Sequence, residues 1–197
     1  AAVSPDVVNG EMVSVLDFDG YPMGVGFYNH HSKITVRMMS RHADTVIDEA
    51  FLRRRVEDAW YYRKKTVDTS SCRIIFGEAD AFPGLTVDKF HDLLSVQVLS
   101  VGMENLQDTL LPALTDILRQ DGQPIRGVFL RNDVALRDKE GLPQGKGWYA
   151  LPGETPPDSP VVEIVENRVK YLVDVENGQK TGFFLDQKYN RRAVGRL

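Results

Sequence analysis

The run LTVDKFHDLLSVQVLS (85–100), continued by MENLQDTLLPALTDILRQ (103–120) and IRGVFLR (125–131), decides the fold. LTVDKF (85–90) and LLSVQVLS (93–100) are short apolar runs with His91-Asp92 as a turn between them, which reads as two strands. The period then changes. Leu106, Leu110, Leu114, Ile117 and Leu118 recur at helical spacing, with Pro112 an unfavourable residue in the middle. IRGVFLR and GWYAL (147–151) return to strand, and RIIF (73–76) supplies another strand before the turn GEADAFPG (77–84). Strand, strand, helix, strand, strand in this order is the pattern of a small α+β layer.

Working outward, the N-terminal part reads as strands. EMVSVLDF (11–18) and YPMGVGFY (21–28) flank the hairpin signal Asp19-Gly20. KITVRMMS (33–40) sets Ile34, Val36 and Met38 against Lys33, Thr35 and Arg37, a half-buried strand with a basic outer face. From Thr45, a candidate cap, to about Thr66, the residues Ile47, Phe51, Leu52, Val56, Ala59 and Trp60 keep helical spacing. The other face of this connecting helix carries Arg53, Arg54, Arg63, Lys64 and Lys65. Beyond the proline-rich connection PGETPPDSP (152–160), VVEIVEN and RVKYLVDV form a hairpin turning near Asn167.

Composition narrows the class. Hydrophobic residues at 42% and charged ones at 26% of 197 fit a folded globular chain with room for one large or two small domains. A formal net charge of -4 leaves nucleic-acid binding to local basic patches. The lone Cys72 excludes an intramolecular disulfide and a Cys-rich zinc site, and points to a reducing, cytoplasmic setting. No apolar run is long enough to span a bilayer, so no membrane partner is expected. AAVSPDVVNGE lacks the regions of a signal peptide and begins as though the chain were entered partway.

Motifs for chemistry are sparse. Gly178, Lys180, Thr181 and Gly182 do not have P-loop spacing, and His30 beside His31 would project to opposite faces if extended. Cys72, just ahead of a buried strand, reads as a core residue. LRNDVALRDKEG (130–141) places both signs of charge after an apolar strand, as in a solvated loop or a structural ion-pair network. The residues compose no complete catalytic site and no metal site.

Three segments taken in order, GEADAFPGLTVDKF (77–90), RNDVALRDKEGL (131–142) and VDVENGQKTGFFLDQ (173–187), resemble the PUA-containing class I S-adenosylmethionine-dependent methyltransferases that modify large-subunit ribosomal RNA at cytosine C5. GEMVSVLDFDGYPMGVGFYNHHSKITVR (10–37) is similar to that family's PUA domain. The resemblance implies a partial PUA-like β-barrel over 1–44, a linking helix over 45–69, a central α+β domain over 70–175 and, over 176–197, the entry to a Rossmann-like catalytic domain. On that reading the chain stops before the family's Gly-rich cofactor turn, Asp-Pro-Pro segment and catalytic cysteine, and would be inactive alone. It also implies S-adenosylmethionine as cofactor of the parent enzyme, ribosomal RNA as partner and a homodimer as a compatible assembly. Lys180, Thr181, Phe183, Phe184, Asp186 and Gln187 would line the cofactor pocket or active cleft, with Asp186 capping the next helix. Lys33, Arg37, Arg41, Arg131 and Arg137 would contact RNA, helped by Phe27 and Tyr28. Lys188 stands where the family usually has Arg, and Arg168 where it usually has Gly.

Overall fold

The computed structural model describes residues 3–195; the expected chain end at Leu197 lies outside them. Its centre is a five-stranded sheet in sequence order, formed by β4 (Ser71–Phe76), β5 (Leu85–Phe90), β6 (Leu93–Val98), β7 (Gly127–Arg131) and β8 (Lys146–Tyr149). All neighbours are antiparallel except β6 and β7, which are parallel and joined by helix α2 (Val101–Gln120). A parallel pair needs such a crossover, and Ser100 starts it by accepting the Met103 amide at 3.4 Å.

Alternation along the strands gives this sheet two buried faces. Val87, Leu94, Val96, Val98 and Val128 pack with α2 and with α1 (Glu49–Thr66), through Leu52, Val56, Trp60, Leu110 and Leu114. Phe90, Leu93 and Phe129 pack instead under the hairpin of β9 (Val161–Glu166) and β10 (Val169–Asp174), through Val162, Ile164 and Val173. The hairpin turns on two residues, Asn167 and Arg168, at φ 52° and 68°. Two consecutive positive φ values are the signature of a I′ turn, whose twist matches that of the strands. Arg168 thus adopts backbone that glycine adopts more easily.

The N-terminal strands β1 (Met12–Leu16), β2 (Pro22–Tyr28) and β3 (Val36–Ser40) make an open three-stranded antiparallel sheet. No barrel closes among the described residues. This sheet docks on α2 at Gly102, where any Cβ would collide with the Phe27 ring, and Asn105 Nδ2 donates to the Gly10 carbonyl at 2.8 Å.

A buried carboxylate makes the second joint. Glu140, 3% exposed, accepts from Asn29 Nδ2 at 2.9 Å, Ser32 Oγ at 2.6 Å and Arg37 Nη2 at 2.7 Å. It sits just after the short helix α3 (Leu136–Lys139).

Three expectations are corrected here. Strand β3 begins at Val36, and a register shift between Val25 and Gly26 opposite it turns Met39 inward, while Ile34 and Met38 are exposed and Arg37 faces Glu140. The cap of α1 is Asp48, which accepts the Phe51 amide at 2.8 Å, whereas Thr45 shares a hydrogen bond with Ser40. Arg63 does not belong to the solvated basic face: it is buried, donating to the Arg73 carbonyl at 2.8 Å and to Asp80 at 2.5 Å.

Replacing Glu140 by Ala removes a carboxylate shared by three donors: Ser32 loses its acceptor, Asn29 keeps only the backbone carbonyl of residue 140, and the largely buried Arg37 guanidinium keeps only the exposed Glu78. Urea unfolding of Glu140→Ala is expected to show a loss of roughly 3–5 kcal/mol, the range for breaking a buried ion pair; a loss under about 1 kcal/mol, the scale of an exposed pair, would deny the joint its importance.

Candidate active cleft

Past β10 the chain is held at every step. The Asp174 carboxylate accepts the amides of Glu176 and Asn177, both at 2.9 Å, which bends the chain sharply. Arg131 Nη1 then donates to the carbonyls of Val175 at 3.0 Å and Gly178 at 2.9 Å, pinning the bend to β7. Lys180 takes a positive φ of 55°, and the next side chain turns inward. Thr181, 1% exposed, donates from Oγ1 to Asp88 Oδ2 at 2.6 Å.

Asp88 is itself 1% exposed and carries a second partner: Arg73 Nε and Nη2 grip its two oxygens at 2.8 and 2.9 Å. The paired carboxylate raises the Arg73 pKa, so this guanidinium stays charged. Its centre lies 5.1 Å from the Phe76 ring.

Phe183 and Phe184 follow, then a single 3-10 turn at Leu185–Gln187 and helix α4 (Lys188–Val194). Arg191 stacks 4.4 Å over Phe183 and forks onto Glu166 at 2.6 and 2.9 Å. Lys188 Nζ reaches Asp68 at 2.9 Å, a contact that helps hold this carboxyl below its usual range against the opposing effect of burial. The segment therefore lies across β4 and the end of α1. Between them is a cavity of about 500 Å³, walled by Phe76, Phe183, Phe184 and Tyr189, with Arg73 and Lys180 among its polar groups.

Of the residues expected at a cofactor pocket or cleft, Lys180, Phe183, Phe184 and Asp186 line this cavity. Thr181 lies behind it, bonded to Asp88, and Gln187 is exposed and donates to Asp186 at 3.2 Å. Asp186 does not cap α4; the residue at that position is Gln187, whose side chain makes no capping bond.

Among the expected RNA contacts, Lys33 and Arg41 are exposed, and Arg37 is tied to Glu140 and Glu78. Arg131 and Arg137 are corrected to internal roles. Arg137 is 2% exposed and donates to the Pro143 carbonyl at 2.7 Å and Glu104 at 2.9 Å; Arg131, 8% exposed, serves the bend described above. Loop carbonyls left without partners in a buried turn need donors, and a guanidinium supplies several at once.

Sequence reasoning missed Arg73 and Asp88. The one available signal was a charged pair, Asp88-Lys89, inside an otherwise apolar strand. Lys89 is held on the helix side by the carbonyls of Thr69 at 2.9 Å and Ser70 at 3.3 Å, and burial lowers its pKa. Cys72 borders the cavity yet is 5% exposed, and burial pushes its thiol up to about 11.

Residues 1–41 match the family described as PUA-like domain. Over 192 residues, 96% of its length, the chain is 37% identical to proteins named ribosomal RNA large subunit methyltransferase I from Yersinia pseudotuberculosis and Yersinia pestis. The match spans 46% of each relative, so the chain covers less than half the length of these curated proteins. A putative SAM-dependent methyltransferase from Streptococcus mutans superposes with a TM-score of 0.71 at 19% identity, over 96% of this chain and 47% of that one. A second putative methyltransferase, SMU.776, solved in complex with SAH, gives 0.73 at 18% identity, over 96% and 46%. The chain has the fold of part of these methyltransferases. No helix among the described residues is long and apolar enough to cross a membrane.

The thiol of Cys72 gives a pH test. Its folded pKa of about 11 lies above the ordinary 9.0, so between these values the unfolded chain has already released a proton that the folded chain keeps. Stability contributed by this group is therefore complete below pH 9 and is lost as pH rises toward 11. Iodoacetamide at pH 8 should label Cys72 at the rate of unfolding, and instant labelling of the folded protein would contradict its burial.

Proposed function

We propose that this chain is the RNA-binding and positioning portion of an S-adenosylmethionine-dependent methyltransferase acting on large-subunit ribosomal RNA, at the C5 position of a cytosine. The observation that carries the reading is the cavity between the 180–189 segment and β4, in a chain similar over 96% of its length to rRNA large subunit methyltransferases. Its size falls within the range of small-molecule sites, and its aromatic walls with a few fixed charges suit one.

The residues present fit a contribution to an S-adenosylmethionine site. Phe183 and Phe184 offer apolar faces to the heterocycle or the sulfonium side, Lys180 a cation to a carboxylate, and Asp186 a carboxylate to an ammonium. When bound, the cofactor supplies the methyl group. The chain's own residues hold the walls of the cleft and exclude water: Thr181 and Asp88 fix the segment from behind, and the Arg191–Glu166 fork fixes it from the side. C5 chemistry needs a thiolate that adds to the ring and makes the neighbouring carbon nucleophilic. Cys72, protonated and buried, is unsuited to that task, so the thiol belongs to another part of the parent enzyme.

The PUA-like sheet contributes Lys33 and Arg41 as exposed phosphate contacts, and the half-buried Tyr28, paired with Val36, offers a ring at the end of β2 away from Arg41. The Glu140 joint ties that surface to the α3 turn that follows β7 of the central sheet.

The full-length protein, incubated with unmodified large-subunit rRNA and labelled S-adenosylmethionine, is expected to yield 5-methylcytidine on nucleoside mass spectrometry, and the 197-residue chain alone no label. A different methylated base would overturn the cytosine assignment. Tight RNA binding without transfer by the full-length protein would leave a PUA-type RNA-binding protein in place of an enzyme.

A further inference from the structure

Arg73 is held as a ligand-binding guanidinium is held. Two of its nitrogens are consumed by Asp88, a carboxylate with 1% exposure that is fixed from the far side by the buried Thr181 hydroxyl. Phe76, 56% exposed, has its ring centroid 5.1 Å from the guanidinium carbon. The third nitrogen, Nη1, makes no protein hydrogen bond among the described residues, while the side chain is 37% exposed and borders the cavity. A guanidinium with one edge locked on a carboxylate and the other edge free is preorganised for an oxyanion.

The surroundings set Arg73 apart from the other cations, with the Asp186 carboxylate also bordering the cavity and near enough to help raise the Arg73 pKa after Asp88. Of the other cationic side chains bordering the cavity, Arg63 is committed to Asp80 and Lys188 to Asp68; Lys180 leans on the Phe184 ring at 4.6 Å. The aromatic rings at the rim, Phe76 and Tyr189, are exposed, at 56% and 69%. On α1, next to Arg63, Tyr62 is also exposed at 57%, with the Arg63 guanidinium 5.0 Å from its ring. Exposed rings beside a fixed cation are the combination that holds unpaired nucleotides, the rings taking bases and the cation a phosphate.

We infer that Arg73, locked by Asp88 and Thr181, binds a backbone phosphate of a single-stranded RNA segment at the mouth of the cavity, with Phe76 and Tyr189 stacking its bases. The inference rests on the RNA-directed reading above and adds the site where unpaired RNA enters the cleft. Thr181 is a positioning residue: it touches no RNA and acts by holding Asp88, which aims the guanidinium.

The test uses the full-length protein, a short fluorescein-labelled single-stranded oligoribonucleotide titrated over a series of KCl concentrations, and SAH binding measured separately by calorimetry. Arg73→Gln is expected to weaken RNA binding about tenfold, as for a charge-assisted contact, and to reduce the slope of log K against log salt by about 0.7, one single-strand phosphate. SAH affinity is expected to fall less than RNA affinity, because Arg73 reaches the cofactor walls only through Asp88 and Thr181. Thr181→Val keeps the charge but loosens its aim, so it should weaken RNA binding less and leave the salt slope at the wild-type value. Arg73→Lys should likewise keep the slope and lose affinity, which preserves the test if Arg73→Gln does not fold.

If the variants bind RNA as the wild type does, Arg73 is only a structural partner of Asp88 and the inference falls. A loss of SAH affinity with RNA binding intact would assign the oxyanion to the cofactor's carboxylate and equally overturn it. Failure of the wild type itself to bind RNA would remove the RNA-directed reading, a result distinct from failure of the Arg73 variants alone.

Discussion

Both faces of the central sheet have to be covered, and most of the structure follows from that requirement. Strands β5, β6 and β7 carry apolar side chains on alternate sides, so neither face can be left to water. Helices α1 and α2 cover one side, and the β9–β10 hairpin covers the other. The hairpin then delivers the segment beyond residue 176 onto β4, where the cavity forms. The cleft is thus a by-product of how the second face is closed.

Folding buries charged groups both on a strand, at Asp88, and in the α3 turn, at Arg137 and Glu140, and geometry supplies each with partners. Asp88 has Arg73 and Thr181; Glu140 has Arg37, Asn29 and Ser32; Arg137 has Glu104 and loop carbonyls. Such groups add little net stability over apolar packing, because desolvation offsets most of the attraction. Their contribution is placement. Glu140 fixes the N-terminal sheet relative to the central one, and Asp88 fixes the 180–189 segment relative to β4.

This reassigns basic residues between surface and interior. Arg63, Arg131 and Arg137 are consumed inside the fold, while Lys33, Arg41 and Arg73 keep donors near solvent. With a net charge of -4, attraction of any polyanion rests on local groups of exposed basic residues and not on the molecule as a whole.

The sequence by itself determined the secondary structure of the central part and the identity of its core. Val, Leu and Phe alternating over 85–98, the leucine stripe of α2 and the proline-rich break at 152–160 are local signals that survive in the fold. It also singled out four of the residues that border the cavity, Lys180, Phe183, Phe184 and Asp186. Tertiary structure decided what each charge does. Arg131 and Arg73 are both arginines in strands, yet one meets backbone carbonyls of a returning chain and the other a buried aspartate beside a cavity. A register shift opposite β3 exchanged the faces of Met38 and Met39. Such outcomes depend on partners distant in sequence, such as Asp88 and Thr181, which no local pattern brings together.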